Sequence, residues 1–220
     1  MSFRTGKAAL AVLILLLFVQ VSALASAVTV VCDSTTGWAL MDQIHRGQKG
    51  TIYKLHSTAV PYTSDIQNGI GRWGSRISAS TSALSTSVIY VTHAPGYTFS
   101  PTNAYGCLSP SYNTSTNHIV GWSMYLNPST TGNGYAAIGS GARGAIVAHE
   151  MGHAFGLADL TNPLTAGLLM NPGIPSSASV PKVQDGWGMD VATHTHTNHS
   201  FASTGRCTQC GGISTNHAAP

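Results

Sequence analysis

His149-Glu150-Met151-Gly152-His153-Ala154-Phe155-Gly156-Leu157-Ala158-Asp159 is the stretch from which the rest of the chain is read. Reduced to its polar positions it is H-E-x-x-H followed by x-x-G-x-x-D. On a helix, residues four apart share a face, so His149 and His153 present their imidazoles side by side. That geometry suits two nitrogen ligands on one Zn²⁺, with Glu150 beside them as general base. Gly156 stands where the helix would end in a left-handed residue, a conformation that only Gly adopts cheaply. The chain then turns back and brings Asp159 towards the same metal. A bare H-E-x-x-H also occurs in buried helices whose histidines merely hydrogen-bond within a core. The Gly and Asp at these offsets are what make the pattern specific.

Composition supports a chemical reading. The chain has seven acidic residues in all, and Glu150 is its only Glu. A helix placed for solubility would carry more than one, yet this one carries a single Glu between two His. The N-terminus has a basic start (Arg4, Lys7), an apolar run from Ala8 to Val21, and then Ser22-Ala23-Leu24-Ala25-Ser26-Ala27. Those are the three parts of a signal peptide, and residues 1–27 are expected to be removed. The apolar run is shorter than the roughly 20 residues a membrane span needs; an uncleaved anchor is the alternative. Without Arg4 and Lys7, eight basic residues face seven acidic ones. Such a near-neutral, Ser/Thr/Asn/Gly-rich surface gives no electrostatic case for nucleic acid or an anionic membrane. A secreted, extracellular protein is expected.

In an exported chain the four Cys (Cys32, Cys107, Cys207, Cys210) suggest disulfides. Cys207 with Cys210 forms a C-x-x-C, which leaves Cys32 with Cys107 as the other pair. Residues 28–49 have no clear periodicity and read as an N-terminal extension, a candidate propeptide remnant. Cys32 within it is also considered as a thiolate that could close a catalytic zinc. Gly50 to His56 alternates as a first strand. Ser64 or Asp65 can cap a following helix, whose apolar stripe is Ile66, Ile70, Trp73 and Ile77. Ser78 to Ser87 reads as a loop, Val88 to Val91 as a buried strand, and His93 to Asn117 as a long surface loop. Ile119 to Leu126 is expected as a strand that either lines the cleft and pairs with substrate or is an ordinary sheet strand. The active helix is expected over 142–155. A short final helix is expected near Val180 to Trp187, with Trp187 in the core. A His- and Cys-containing tail over 191–220 completes the chain, and residues 50–190 form one catalytic domain.

His149-Glu150-x-x-His153-x-x-Gly156-x-x-Asp159 resembles the zinc signature of the metzincin peptidases. Leu168-Leu169-Met170-Asn171-Pro172 looks like the second half of that signature, the Met-turn, in which Met170 lies beneath the metal without binding it. Most metzincins carry His where this chain has Asp159. Asp at that position is similar to the snapalysin family of small secreted bacterial proteases, whereas the Met-turn and the Trp73 helix look closer to matrixin-like bacterial enzymes. The acidic calcium-binding loops of matrixins have no counterpart, because too few Asp residues are present. The resemblance implies an α+β fold with a twisted mixed sheet, a zinc-bearing active-site helix and a loop-rich lower subdomain carrying the Met-turn.

Carried over residue by residue, the resemblance implies Zn²⁺ on His149, His153 and Asp159, with Glu150 as catalytic base. The expected activity is secreted zinc endopeptidase, in which a zinc-bound water attacks the peptide bond. Its partner would be a protein or peptide substrate, and the chain would act as a monomer away from nucleic acid and membrane. Residues after Met170, such as Ile174 and Pro175, would wall the specificity pocket. Two other readings stay open. Asp185 or Asp190 could replace Asp159 as third ligand, and the chain could be a secreted, non-catalytic zinc-containing binding protein on a protease-like scaffold. His194, His196 and His199 would matter only if the tail scavenged metal.

Overall fold

Gly50–Leu55 forms the first strand (β1), with Thr51 and Tyr53 turned inward as the alternation requires. The computed structural model describes residues 38, 40, 41, 46, 48–100, 104–114, 118–161, 167–172 and 179–193. The signal sequence, Ile174, Pro175, the C-x-x-C and the His-rich tail lie outside the described residues, as does Cys32. The fold is α+β. After β1 come helix α1 (Thr63–Gly71), strands β2 (Ser78–Thr81), β3 (Val88–Val91), β4 (Gly106–Asn113) and β5 (His118–Leu126), then helices α2 (Ser140–Ala154) and α3 (Val183–Ala192). The five strands form one mixed sheet in the order β2-β1-β3-β5-β4. Only the β4–β5 pairing is antiparallel. No helix among the described residues is long and apolar enough to cross a membrane.

Two stretches expected as loops contain strands. Ser78–Thr81 pairs in parallel with β1, although its residues are mostly exposed and carry little apolar alternation. Gly106–Asn113 lies within the expected His93–Asn117 loop. Its Pro110 argues against a central strand, but β4 is an edge strand, where a missing N–H costs little. That changes the place of β5. It runs between β3 and β4 as an interior strand, with Ile119, Trp122, Met124 and Leu126 in the core. The strand at the cleft is β4.

The apolar stripe of α1 is buried as expected at Ile66, Ile70, Trp73 and Ile77. Only the first two lie in the helix, since Trp73 precedes a short 3-10 turn and Ile77 is already extended. Neither Ser64 nor Asp65 caps α1; its N-cap is Tyr62, with no side-chain bond. Asp65 instead pairs with Arg143 of α2 at 3.1 Å and accepts a bond from Ser140. The two helices pack tightly because Gly69 faces Gly144 and Val147, where a Cβ would overlap both. Trp73 donates its indole N–H to the carbonyl of Ala148 at 2.9 Å, fixing the height of α2 against α1. α2 is thus locked from its first turn to its middle.

α3 ends at Ala192, two residues past the expected domain boundary, and Ala192 and Thr193 are buried. The side chain of Trp187 is outside what is described. At the other end, the N-terminal extension is not wholly an appendage, because Trp38 and Leu40 are buried in the same core as α2. Among the described residues Cys107 on β4 has no disulfide partner, and Cys32, with which it is expected to pair, lies outside them.

Candidate metal centre

α2 has buried residues on most of its circumference, including Ala145 to Ala148, Met151 and Ala154, so its polar side chains can only emerge towards a cleft. His149, Glu150 and His153 do so. The helix ends in a Schellman motif: Gly156 N–H bonds the carbonyl of His153 and Leu157 N–H that of Gly152, at 2.9 and 3.0 Å. Gly156 has φ 102°, the left-handed conformation expected from the sequence. The reversal returns Asp159 to the two histidines.

The three candidate ligands come together. Nε2 of His149 lies 3.2 Å from Nε2 of His153. Oδ1 of Asp159 lies 3.1 Å from the first and 3.4 Å from the second. Each imidazole donates its Nδ1–H to a backbone carbonyl, His149 to Leu169 and His153 to Leu157, both at 2.7 Å. A carbonyl only accepts, so the proton sits on Nδ1 and a neutral ring points its Nε2 lone pair inward. With both rings neutral, two lone pairs and a carboxylate oxygen would face one another, an arrangement that repels itself unless a cation or a proton lies between them. Tetrahedral zinc with bonds of about 2.0–2.1 Å spaces its ligand atoms by roughly 3.3 Å, close to the separations found. The residues fit the ion.

Electrostatics point the same way. Burial alone would lower the pKa of His149, but its bond to Asp159 and the nearby Glu150 charge outweigh it and raise the pKa to about 9. For Asp159, burial pushes upward, and hydrogen bonds from both imidazoles overturn that and hold the carboxyl well below its usual range. A protonated His149 thus faces the Asp159 carboxylate. Glu150 is 5% exposed, and among the described residues its Oε2 has no hydrogen-bond partner. Burial raises its pKa, against the pull of His153 and His149.

Met170 is buried beneath α2, its sulfur filling the space where a side chain on Gly152 would be. The turn carrying it is held by Asp185, which the sequence offers as an alternative ligand. Asp185 is fully buried and accepts N–H bonds from Leu169, Met170 and Lys182 at 3.0, 3.2 and 2.7 Å. Asp190 pairs with Arg76. Both alternatives are therefore engaged elsewhere, and Asp159 is the carboxylate at the histidines. The missed role of Asp185 has a faint signal in the sequence. It stands three residues after Lys182 at the start of a helix, where a side chain reaches back to a backbone N–H.

A cleft of about 650 Å³ opens over these residues, between β4 and the turn around Met170. Its upper rim is Tyr105, Gly106, Cys107 and Leu108, and its lower rim is Leu168 and Asn171. A Cβ on Gly106 would lie 3.2 Å from Oε1 of Glu150, so the β4 backbone passes directly beside the candidate base. Burial, and then the charge of Glu150, push the Cys107 thiol up to about 11, which leaves it protonated and weakly nucleophilic. No protein-family model matches the chain, and a search of curated proteins finds no significant match.

Proposed function

We propose that this chain is a secreted, zinc-dependent endopeptidase of the metzincin type that acts as a monomer on protein or peptide substrates. The observation that carries the proposal is the trio of converging side-chain atoms on His149, His153 and Asp159, spaced as tetrahedral ligands beside the buried Glu150, whose Oε2 has no partner among the described residues. Zinc held by these three residues would supply Lewis acidity, polarising a carbonyl and acidifying water near neutral pH. The protein's own groups do the rest. Oε2 of Glu150, with a raised pKa and no internal partner, takes a proton from the attacking water and later delivers it to the leaving amine. The outer edge of β4 offers unpaired backbone groups along the cleft, where an extended peptide can add as a further strand. Pairing on β4 would lay a peptide bond across Glu150, because Gly106 keeps the strand close to that carboxylate.

Zinc content and casein hydrolysis, measured together on wild type, Glu150→Ala and Asp159→Ala, test the reading. Glu150→Ala is expected to keep about one zinc and lose hydrolysis by roughly 10²–10⁴-fold. Asp159→Ala should lose both. A wild type that holds zinc but cleaves no protein or peptide would hand the site to the non-catalytic binding scaffold.

A further inference from the structure

The chain before β1 makes contacts that a discarded extension would not make. Trp38 and Leu40 are each 1% exposed, and a Cβ on Gly188 of α3 would lie 2.9 Å from the Cβ of Trp38, so α3 has a glycine where the tryptophan enters. Leu40 forms an antiparallel bridge with Leu157. Met41 donates its N–H to the carbonyl of Gly156 at 2.8 Å, and Arg46 donates its own to Phe155 at 3.1 Å. The guanidinium of Arg46 lies over the ring of Phe155, 5.7 Å from its centre, and its Nε bonds Gly50 at 2.6 Å. All three partners, Phe155, Gly156 and Leu157, belong to the reversal that leaves α2. The carbonyl of Leu157 is the one that fixes the tautomer of His153. Met41 also lines the cleft itself.

We infer that Trp38, Leu40, Met41 and Arg46 form a permanent brace of the working site. The brace positions His153 through Leu157, and any proteolytic maturation stops upstream of Trp38. The positioning role rests on the zinc reading, whereas the brace as a fixed part of the fold does not. The buried helix end is held in part by backbone bonds from a segment more than a hundred positions away in sequence. Removing the chain as far as Lys49 would strip two buried apolar side chains from the core and leave the carbonyl groups of Phe155 and Gly156 without these donors.

The test uses the full chain in two arms. In the first, zinc is titrated against a chromophoric chelator for wild type, Met41→Leu and Met41→Pro, and the Co²⁺ absorption spectrum of each is recorded. Met41→Leu keeps the N–H and should match wild type. Met41→Pro removes it and should weaken zinc binding by roughly 10–100-fold and shift the cobalt bands, as loss of support behind a ligand does. Unchanged affinity and spectrum in Met41→Pro would overturn the positioning role, because a purely structural segment would lower stability without altering the metal's surroundings. The second arm needs no variant. Trypsin cleavage after Arg46 should be no faster than global unfolding. Rapid cleavage there that leaves a cooperatively folded remainder would overturn the brace. If wild-type protein binds no zinc, the proposed function falls, and the trypsin arm still decides whether the segment is part of the fold.

Discussion

If zinc binds as proposed, it must displace a proton from His149. Its folded-state pKa of about 9 stands above the ordinary value of 6.5, because Asp159, Glu150 and the Leu169 carbonyl outweigh the opposing effect of burial. Zinc needs the neutral ring, so binding at neutral pH releases that proton. Apparent zinc affinity should therefore climb by about tenfold per pH unit and level off near pH 9. The stability of the zinc-free protein should move the opposite way. A raised pKa means the contribution of His149 is complete below pH 6.5 and is lost as pH rises through about 9. Zinc titrations and thermal unfolding of the chelated protein across that window check both slopes; a flat affinity profile would show that the ring is already neutral. The ligand trio itself was legible in the sequence, since the four-residue spacing and Gly156 are enough to place His149, His153 and Asp159 together. Its supports were not. The carbonyls of Leu157 and Leu169 belong to the backbone, and no residue type announces which carbonyl a ring will meet.

α3 acts on the site through one side chain. Asp185 projects into the turn around Met170 and accepts from three backbone donors, of which those of Leu169 and Met170 are buried. Each buried donor left unpaired costs about 1–3 kcal/mol, so Asp185→Ala should destabilise the fold by roughly 2 kcal/mol or more. Asp185→Asn keeps one acceptor oxygen and should lose less. Because Leu169 also receives the Nδ1–H of His149, the alanine variant should weaken zinc binding by about 10–100-fold as well. Denaturant titration paired with zinc titration measures both, and wild-type values for each in Asp185→Ala would remove the residue from the account. Elements differed in how much the sequence disclosed. β1, β3 and β5 lie where their apolar patterns put them, and the stripe after Asp65 is buried as its period requires, although Trp73 and Ile77 fall beyond the end of α1. β2 and β4 carry neither. Gly106-Cys107-Leu108-Ser109-Pro110 has the composition of a loop, and only its pairing with β5 makes it a strand. Edge strands answer to one neighbour and to solvent, so their sequences are weakly constrained.

Across the molecule as a whole, two sets of supports flank the cleft. Above it, α2 is locked to α1 by Gly69, Trp73 and the Asp65–Arg143 pair. Below it, the turn around Met170 and the residues from Gly156 onward bear Asp159 and the carbonyls that hold both imidazoles. A metal on His149, His153 and Asp159 would tie the two parts at one point, so the proposed zinc would stabilise the fold as well as serve the proposed chemistry. An ion present at about a thousand times its dissociation constant stabilises the native state by about 4 kcal/mol, or about 10 °C in melting temperature for a chain of this size. Stripping the protein with a chelator should lower the transition by about that amount, and restoring zinc should recover it. Glu150→Ala should show the same shift as wild type, since that carboxylate contributes no ligand. Asp159→Ala should show almost none at the same zinc concentration, because one of the three proposed ligands is then missing. Calorimetry with and without zinc on the three proteins separates the cases. An equal shift in all three would mean the ion binds without Asp159 and does not bridge the cleft.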